Sequence, residues 1–133
     1  MATIKSFTSL EQSKKLAEIL PLESADMCWS KYDDGQMRIM PMELWNLIKD
    51  GLSCLEFTPA WSLAALYSIL PNSKNESTTL SRGGWKIEPI EYLDNWWCEY
   101  KDDSHSEYFT VSADNPVDAC VAMIEKLHEL KML

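Results

Sequence analysis

Between Pro59 and Pro71 the chain runs A-W-S-L-A-A-L-Y-S-I-L, and only Ser62, Tyr67 and Ser68 interrupt the apolar side chains. Thr58 suits an N-cap and Pro59 the first helical position, so the pattern predicts a helix from Thr58 to Leu70 stopped by Pro71. A helix apolar nearly all round has to be covered on most sides. That requirement makes it the expected centre of the core, and 133 residues suffice for one such core but not comfortably for two. The expectation is one domain, residues 1–133.

The covering elements are readable in turn. T-S-L-E matches a capping box, with Thr8 as cap and Glu11 reaching back, and Leu16, Ile19 and Leu20 supply the apolar face of a helix from Ser9 to Leu20. M-C-W-S-K-Y-D-D-G-Q-M-R-I-M reads as a hairpin, because Asp34-Gly35 supplies the positive φ angles of a tight two-residue turn. Pairing Tyr32 with Met37 then puts Cys28, Tyr32, Met37 and Ile39 on one face. E-L-W-N-L-I-K-D-G predicts a short helix through Leu44 and Ile48, ended by glycine. P-N-S-K-N-E-S-T-T-L-S-R-G-G reads as a surface loop. W-K-I-E, Trp85 to Glu88, alternates as a strand, and N-W-W-C-E-Y with E-Y-F-T-V-S forms a second hairpin around K-D-D-S-H-S. With Tyr100 opposite Glu107, its apolar side holds Trp96, Cys98, Phe109 and Val111, and its other side Trp97, Glu99, Tyr108 and Thr110.

S-A-D-N-P-V-D-A-C-V-A-M-I-E-K-L-H-E-L places an aspartate, a cysteine and a histidine close together and raises the question of a reactive site. Asn115 is a good N-cap, Pro116 the favoured first residue, and Asp118 meets the open amides of the first turn. Val117, Cys120, Val121, Ile124 and Leu127 follow the i, i+3, i+4, i+7 spacing of a core stripe. His128 lies about 12 Å along the helix from Cys120, at 1.5 Å per residue, too far to share a metal or a proton. His105 is the other histidine, so a Cys120–His105 pair is the enzyme reading, against a buried structural cysteine. Asp33-Asp34 and Asp102-Asp103 sit where turns favour aspartate. No nucleophile elbow, P-loop, dinucleotide fingerprint or H-E-x-x-H occurs. No catalytic residue, metal site or cofactor is expected.

Twelve basic against twenty-one acidic residues give a net charge of −9 with no basic run, which disfavours direct nucleic-acid binding. The N-terminus lacks the pattern of a signal peptide and no apolar stretch approaches a membrane span, so a cytoplasmic protein is expected. Cys28, Cys54, Cys98 and Cys120 are isolated, without a C-x-x-C, and read as small core hydrophobes.

The adjacent Trp96-Trp97 point to opposite faces of a strand, and both are buried only if the sheet is covered twice. Trp97 with Tyr108 is otherwise an exposed aromatic patch, and Glu99, Asp102 and Asp103 give it an acidic rim. The function expected is therefore non-enzymatic binding of a protein partner through that surface. An acidic competitor of nucleic acid for a DNA-binding protein, and an enzyme of unrecognised type, are the alternatives, and a homodimer is left open. The fold class expected is α+β, an antiparallel sheet of four to five strands with helices packed mainly on one face.

The segments F-T-S-L-E-Q-S-K-K-L-A-E-I-L-P-L-E-S-A-D-M, P-A-W-S-L-A-A-L-Y-S-I-L-P and S-A-D-N-P-V-D-A-C-V-A-M-I-E-K-L-H-E-L resemble a family of small proteins from gut Bacteroides-type bacteria, many carried by prophages or other mobile elements. The resemblance covers both ends and the middle of the chain. It implies a prophage setting and no activity, cofactor or site residue.

Overall fold

Ser9 rather than Thr8 caps the first helix. In the computed structural model, which describes residues 5–51, 54–82 and 95–133, the Ser9 hydroxyl accepts from the Gln12 amide (3.2 Å) and the Gln12 side chain accepts from the Ser9 amide (3.0 Å). The capping box therefore sits one residue later than the sequence suggested. Thr8 is fully buried and its hydroxyl is taken elsewhere, bonded to Ser13 Oγ (2.8 Å) and accepting from the Trp61 amide (3.1 Å). The resulting helix, α1, is Leu10–Ala17. The chain divides into two compact units, Ser6–Ala65 and Leu66–Leu133 with Lys5.

In the first unit, β1 (Met27–Tyr32) pairs antiparallel with β2 (Met37–Pro41) and with β3 (Cys54–Ala60), in the order β2-β1-β3. Lys31, not Tyr32, lies opposite Met37. Asp33, Asp34 and Gly35 thus form a three-residue loop, with Gly35 at φ 82° and its amide donating to the Tyr32 carbonyl (2.9 Å). A two-residue and a three-residue loop both need a glycine with positive φ, so the dipeptide alone did not discriminate between them. The one-residue slip exchanges the faces of β2: Met40 in place of Ile39 joins Cys28 and Tyr32. Met42, Trp45 and Ile48 of α2 (Met42–Ile48) pack on that cluster.

The central helix is shorter than its sequence signature. Thr58 and Pro59 belong to β3, opposite Trp29 and Cys28, and the helix α3 is Leu63–Ile69. Proline is tolerated there because β3 is an edge strand, whose outward amides pair with nothing in the ladder. Ser62 holds the start of α3: its hydroxyl accepts from the Ala65 amide (3.2 Å), and its own amide donates to Asp26 Oδ1 (2.8 Å). Leu66 and Leu70 are buried, whereas Ala64, Tyr67 and Ser68 are exposed, so the helix is amphipathic and not covered all round.

In the second unit, β4 (Glu76–Arg82), β5 (Trp96–Asp102) and β6 (Glu107–Ala113) form an antiparallel sheet in that order. β4 occupies the segment read as a loop. Its Ser and Thr residues suit a strand with one wet face, and Thr78, the buried member, donates to the Pro71 carbonyl (2.8 Å). The expected strand Trp85 to Glu88 lies outside the described residues. Tyr100 pairs with Phe109 and Asp102 with Glu107, two residues from the expected register, and an even shift leaves every side chain on its expected face. The helix α4 (Pro116–Glu129) covers one face with Val117, Cys120, Val121, Met123, Ile124 and Leu127. Asn115 caps it by accepting from the Asp118 amide (2.8 Å), as the sequence indicated.

The class is α+β, with the described strands in two three-stranded antiparallel sheets in place of one sheet of four to five. Each hairpin gained its third strand from a segment whose local pattern said something else, β3 from a helix start and β4 from a loop.

Candidate functional site

The face of the second sheet turned away from Cys98 and Tyr100 carries Trp97, Glu99 and Lys101 on β5. Register sets Ser81, Thr79 and Ser77 beside them on one side and Ser112, Thr110 and Tyr108 on the other. Tyr108 is 56% exposed, and Trp97 and Glu99 are half-buried. Partial desolvation first, and then the nearby Glu99 carboxylate, raise the pKa of the Tyr108 hydroxyl. The Trp97 indole N–H is shielded from solvent and has no hydrogen-bond partner among the described residues.

Three of the five residues singled out from the sequence, Trp97, Glu99 and Tyr108, thus share one face. Asp103 stands exposed in the following turn, 3.5 Å from Lys101. Asp102 does not join them. It follows Cys98 and Tyr100 in the alternation, lies on the opposite face and is buried, accepting from the Ser104 amide (2.9 Å) and bonding His105 Nδ1 (2.8 Å). The His105 hydrogen bond holds the Asp102 carboxyl below the usual carboxylate range, and Asp102 in return raises His105 above 6.5.

Asp102 opens onto a cleft of about 400 Å³ at the turn end of this sheet. Glu76 and Glu107 flank Asp102 in register, so three carboxyl side chains line one row across β4, β5 and β6. The Tyr100 hydroxyl donates to Glu76 Oε2 (3.2 Å). Burial, followed by the charges of Glu76 and Asp102, pushes this phenol up to about 12. The opposite wall is apolar: Phe109, stacked on Tyr100 at 6.0 Å, with Leu130 and Met132 from the segment after α4. Sequence reasoning missed Glu76, His105 and Glu107 as a group, because strand register and not sequence spacing brings them together.

The Cys120 reading meets a different environment from the one a nucleophile needs. Cys120 and Cys98 are both fully buried, and their interaction draws the Cys120 thiol down while it and burial push Cys98 up; full burial denies Cys120 the exposed, electropositive surroundings of a reactive thiolate. Asp118 is engaged by Asn115 (2.8 Å) and Lys5 (2.7 Å), and His128 is exposed near the far end of α4. Among the described residues no group of three His, Cys, Asp or Glu side chains is placed to hold a metal ion, and no helix is long and apolar enough to cross a membrane.

The first unit carries a second surface feature that the sequence reading did not single out. Leu44 and Leu47 on α2 and Leu55 and Phe57 on β3 are all exposed, Leu47 by 82%, and Phe57 stacks on Trp45 at 5.1 Å. Comparison with protein-family models, curated proteins and solved structures finds no match to this chain.

Proposed function

We propose that this is a non-enzymatic, prophage-associated cytoplasmic protein that binds a basic protein partner through the open face of the β4-β5-β6 sheet. The observation that carries the reading is the gathering of Trp97, Glu99 and Tyr108 on one face whose other side chains are Lys101 and a set of serines and threonines. Aromatic anchors ringed by Ser and Thr suit protein recognition, since the rings supply area and the hydroxyls adapt their hydrogen bonds. The partner is basic because the chain as a whole carries a net charge of −9, while on the face itself Glu99 is balanced by Lys101. The same net charge disfavours a homodimer through repulsion between two like-charged copies.

The exposed leucines of α2 and β3 favour a second reading, in which the partner docks there. The test is capture of partners from extracts of cells that make the protein, using wild type, Tyr108→Ala and Leu47→Ser. Loss of an exposed aromatic anchor costs about 2 kcal/mol or more, roughly thirtyfold in affinity. A companion that is weakened by salt, lost with Tyr108→Ala and kept with Leu47→Ser supports the sheet face. The reverse pattern transfers the site to α2 and β3, and a companion insensitive to both variants refutes both surfaces.

A further inference from the structure

We infer that the outer edge of β6 pairs antiparallel with β6 of a second copy of this chain, about a two-fold axis at Thr110, joining two β4-β5-β6 sheets into one of six strands. The edge is a different surface from the open face proposed to bind a basic partner, and the inference stands without that reading.

Four strands among the described residues stand at sheet edges, and three of them are blunted. β2 has five residues and ends in Pro41. β3 carries a bulge opposite Lys31 and Tyr32 and, beyond it, Pro59, which has no amide hydrogen to offer. Along β4 the carbonyls of Glu76 and Thr78 are already occupied, by the Ser73 amide (2.8 Å) and the Tyr67 hydroxyl (3.0 Å). β6 has none of these devices. Its seven residues pair one to one with β5 without a bulge, and they include no proline and no lysine. Every second residue of such a strand turns both its N–H and its C=O away from its neighbour. Among the described residues the β6 main chain bonds only to β5.

Burial points to the same flank. α4 packs across both β5 and β6, yet no residue of β6 is buried. Phe109 and Val111 stay half-buried, while Tyr100 and Cys98, opposite them on β5, are fully covered. What β5 has and β6 lacks is a strand on each side.

The sequence of the strand, E-Y-F-T-V-S-A, identifies the occupant. Turned antiparallel on itself about Thr110, it sets Thr110 against Thr110, Phe109 against Val111, Tyr108 against Ser112 and Glu107 against Ala113. Threonine pairs and aromatic to β-branched pairs are among the favourable cross-strand combinations, and no like charges face each other. Of the registers related by a two-fold axis through the sheet, this one alone pairs all seven residues. With strands about 4.8 Å apart and α4 lying across β5 and β6, the two α4 axes come roughly 10 Å from each other, an ordinary packing distance and not a collision.

Charge sets the sign of the salt dependence. Each copy carries −9, which opposes association, but on β6 only Glu107 is charged, at the end of the strand and opposite Ala113. Added salt screens the general repulsion and spares the main-chain bonds, so it tightens the dimer, the opposite of its effect on a basic partner.

Sedimentation velocity of the wild-type chain over a concentration series, at low and at raised salt, reads the association. A single strand pair is a small interface, so half-dimerisation is expected between about 10 μM and about 1 mM. It is expected at lower concentration in raised salt, and amide exchange should slow on dimerisation at every second residue of β6. Thr110 is exposed and faces Glu99 on β5, so Thr110→Glu sets four carboxylates in one row across the axis and should weaken association about a hundredfold or more. Labelled Thr110→Glu protein should regain the dimer when unlabelled Thr110→Lys protein is added, since only a contact of this position with its own copy brings the two substitutions together. Circular dichroism checks that both variants fold, and the wild-type series with its exchange pattern needs no variant. A wild-type chain still monomeric at about 1 mM, a dimer that survives Thr110→Glu, no rescue by Thr110→Lys, or new protection away from β6 overturns the inference.

Discussion

Thr8→Val isolates one hydroxyl on which the first unit is built. The Thr8 side chain is fully buried and its Oγ1 meets both the Trp61 amide (3.1 Å) and Ser13 Oγ (2.8 Å). The Thr8 amide donates to the Trp61 carbonyl (2.9 Å), and the Thr8 carbonyl accepts from the Trp29 indole (3.0 Å). Valine preserves the shape and these backbone bonds, but strands the Trp61 amide and the Ser13 hydroxyl at a fully buried site. Each stranded buried group costs about 1–3 kcal/mol, so the loss of the two is roughly 2–6 kcal/mol. Ser13→Ala removes one bond and leaves Trp61 satisfied, with an expected cost of about 1 kcal/mol. In the double variant only the Trp61 amide is stranded, so its cost falls short of the sum of the singles by about 1 kcal/mol, the coupling of a shared hydrogen bond. Urea unfolding followed by far-ultraviolet circular dichroism reads all four proteins of the cycle. A Thr8→Val loss below about 0.5 kcal/mol, the range of ordinary surface substitutions, or strict additivity would refute the reasoning.

Asp102→Asn should change how stability varies with pH at both ends. The lowered Asp102 pKa contributes stability present above its unfolded value and lost as pH falls through the folded value. The raised His105 pKa contributes stability present below about 6.5 and lost as pH rises through its folded value. The variant therefore flattens both limbs, and its His105 ring resonance titrates at lower pH than in wild type; an unmoved titration would sink the pair. For the buried thiols, a Cys54→Ser variant is expected to show no native reactivity toward an aromatic disulfide reagent, because Cys28, Cys98 and Cys120 are all fully buried. Three thiols should titrate in denaturant, and rapid native reaction at Cys120 would restore the case for a nucleophile.

Legibility divides by how local the deciding interactions are. The start of α4 was readable because Asn115, Pro116 and Asp118 act on each other within one turn. The inner face of β5 was readable because alternation survives an even register error. Thr58-Pro59 misled because a helix-start signature has no knowledge of β1, whose pairing took both residues into an edge strand. Asp34-Gly35 was read as a two-residue turn where the loop has three, and that one residue of length exchanged Ile39 for Met40 in the core. Asp102, Glu99 and Asp103 looked equivalent as acids near a turn, although parity alone placed Asp102 on the buried side with Cys98 and Tyr100.

The sequence by itself determined the α+β class, the presence of two hairpins, the capped amphipathic helix at the C-terminal end, and a net charge of −9. These follow from backbone dihedral preferences, side-chain periodicity and summed charge, none of which needs a distant neighbour. Tertiary structure decided which segments became third strands, which residue of a turn set the register, and that Glu76, Asp102 and Glu107 stand in one row beside Phe109 and Met132. A cleft is a relation among strands far apart in the chain, and cross-strand hydrogen bonding creates that relation only once the sheet has formed.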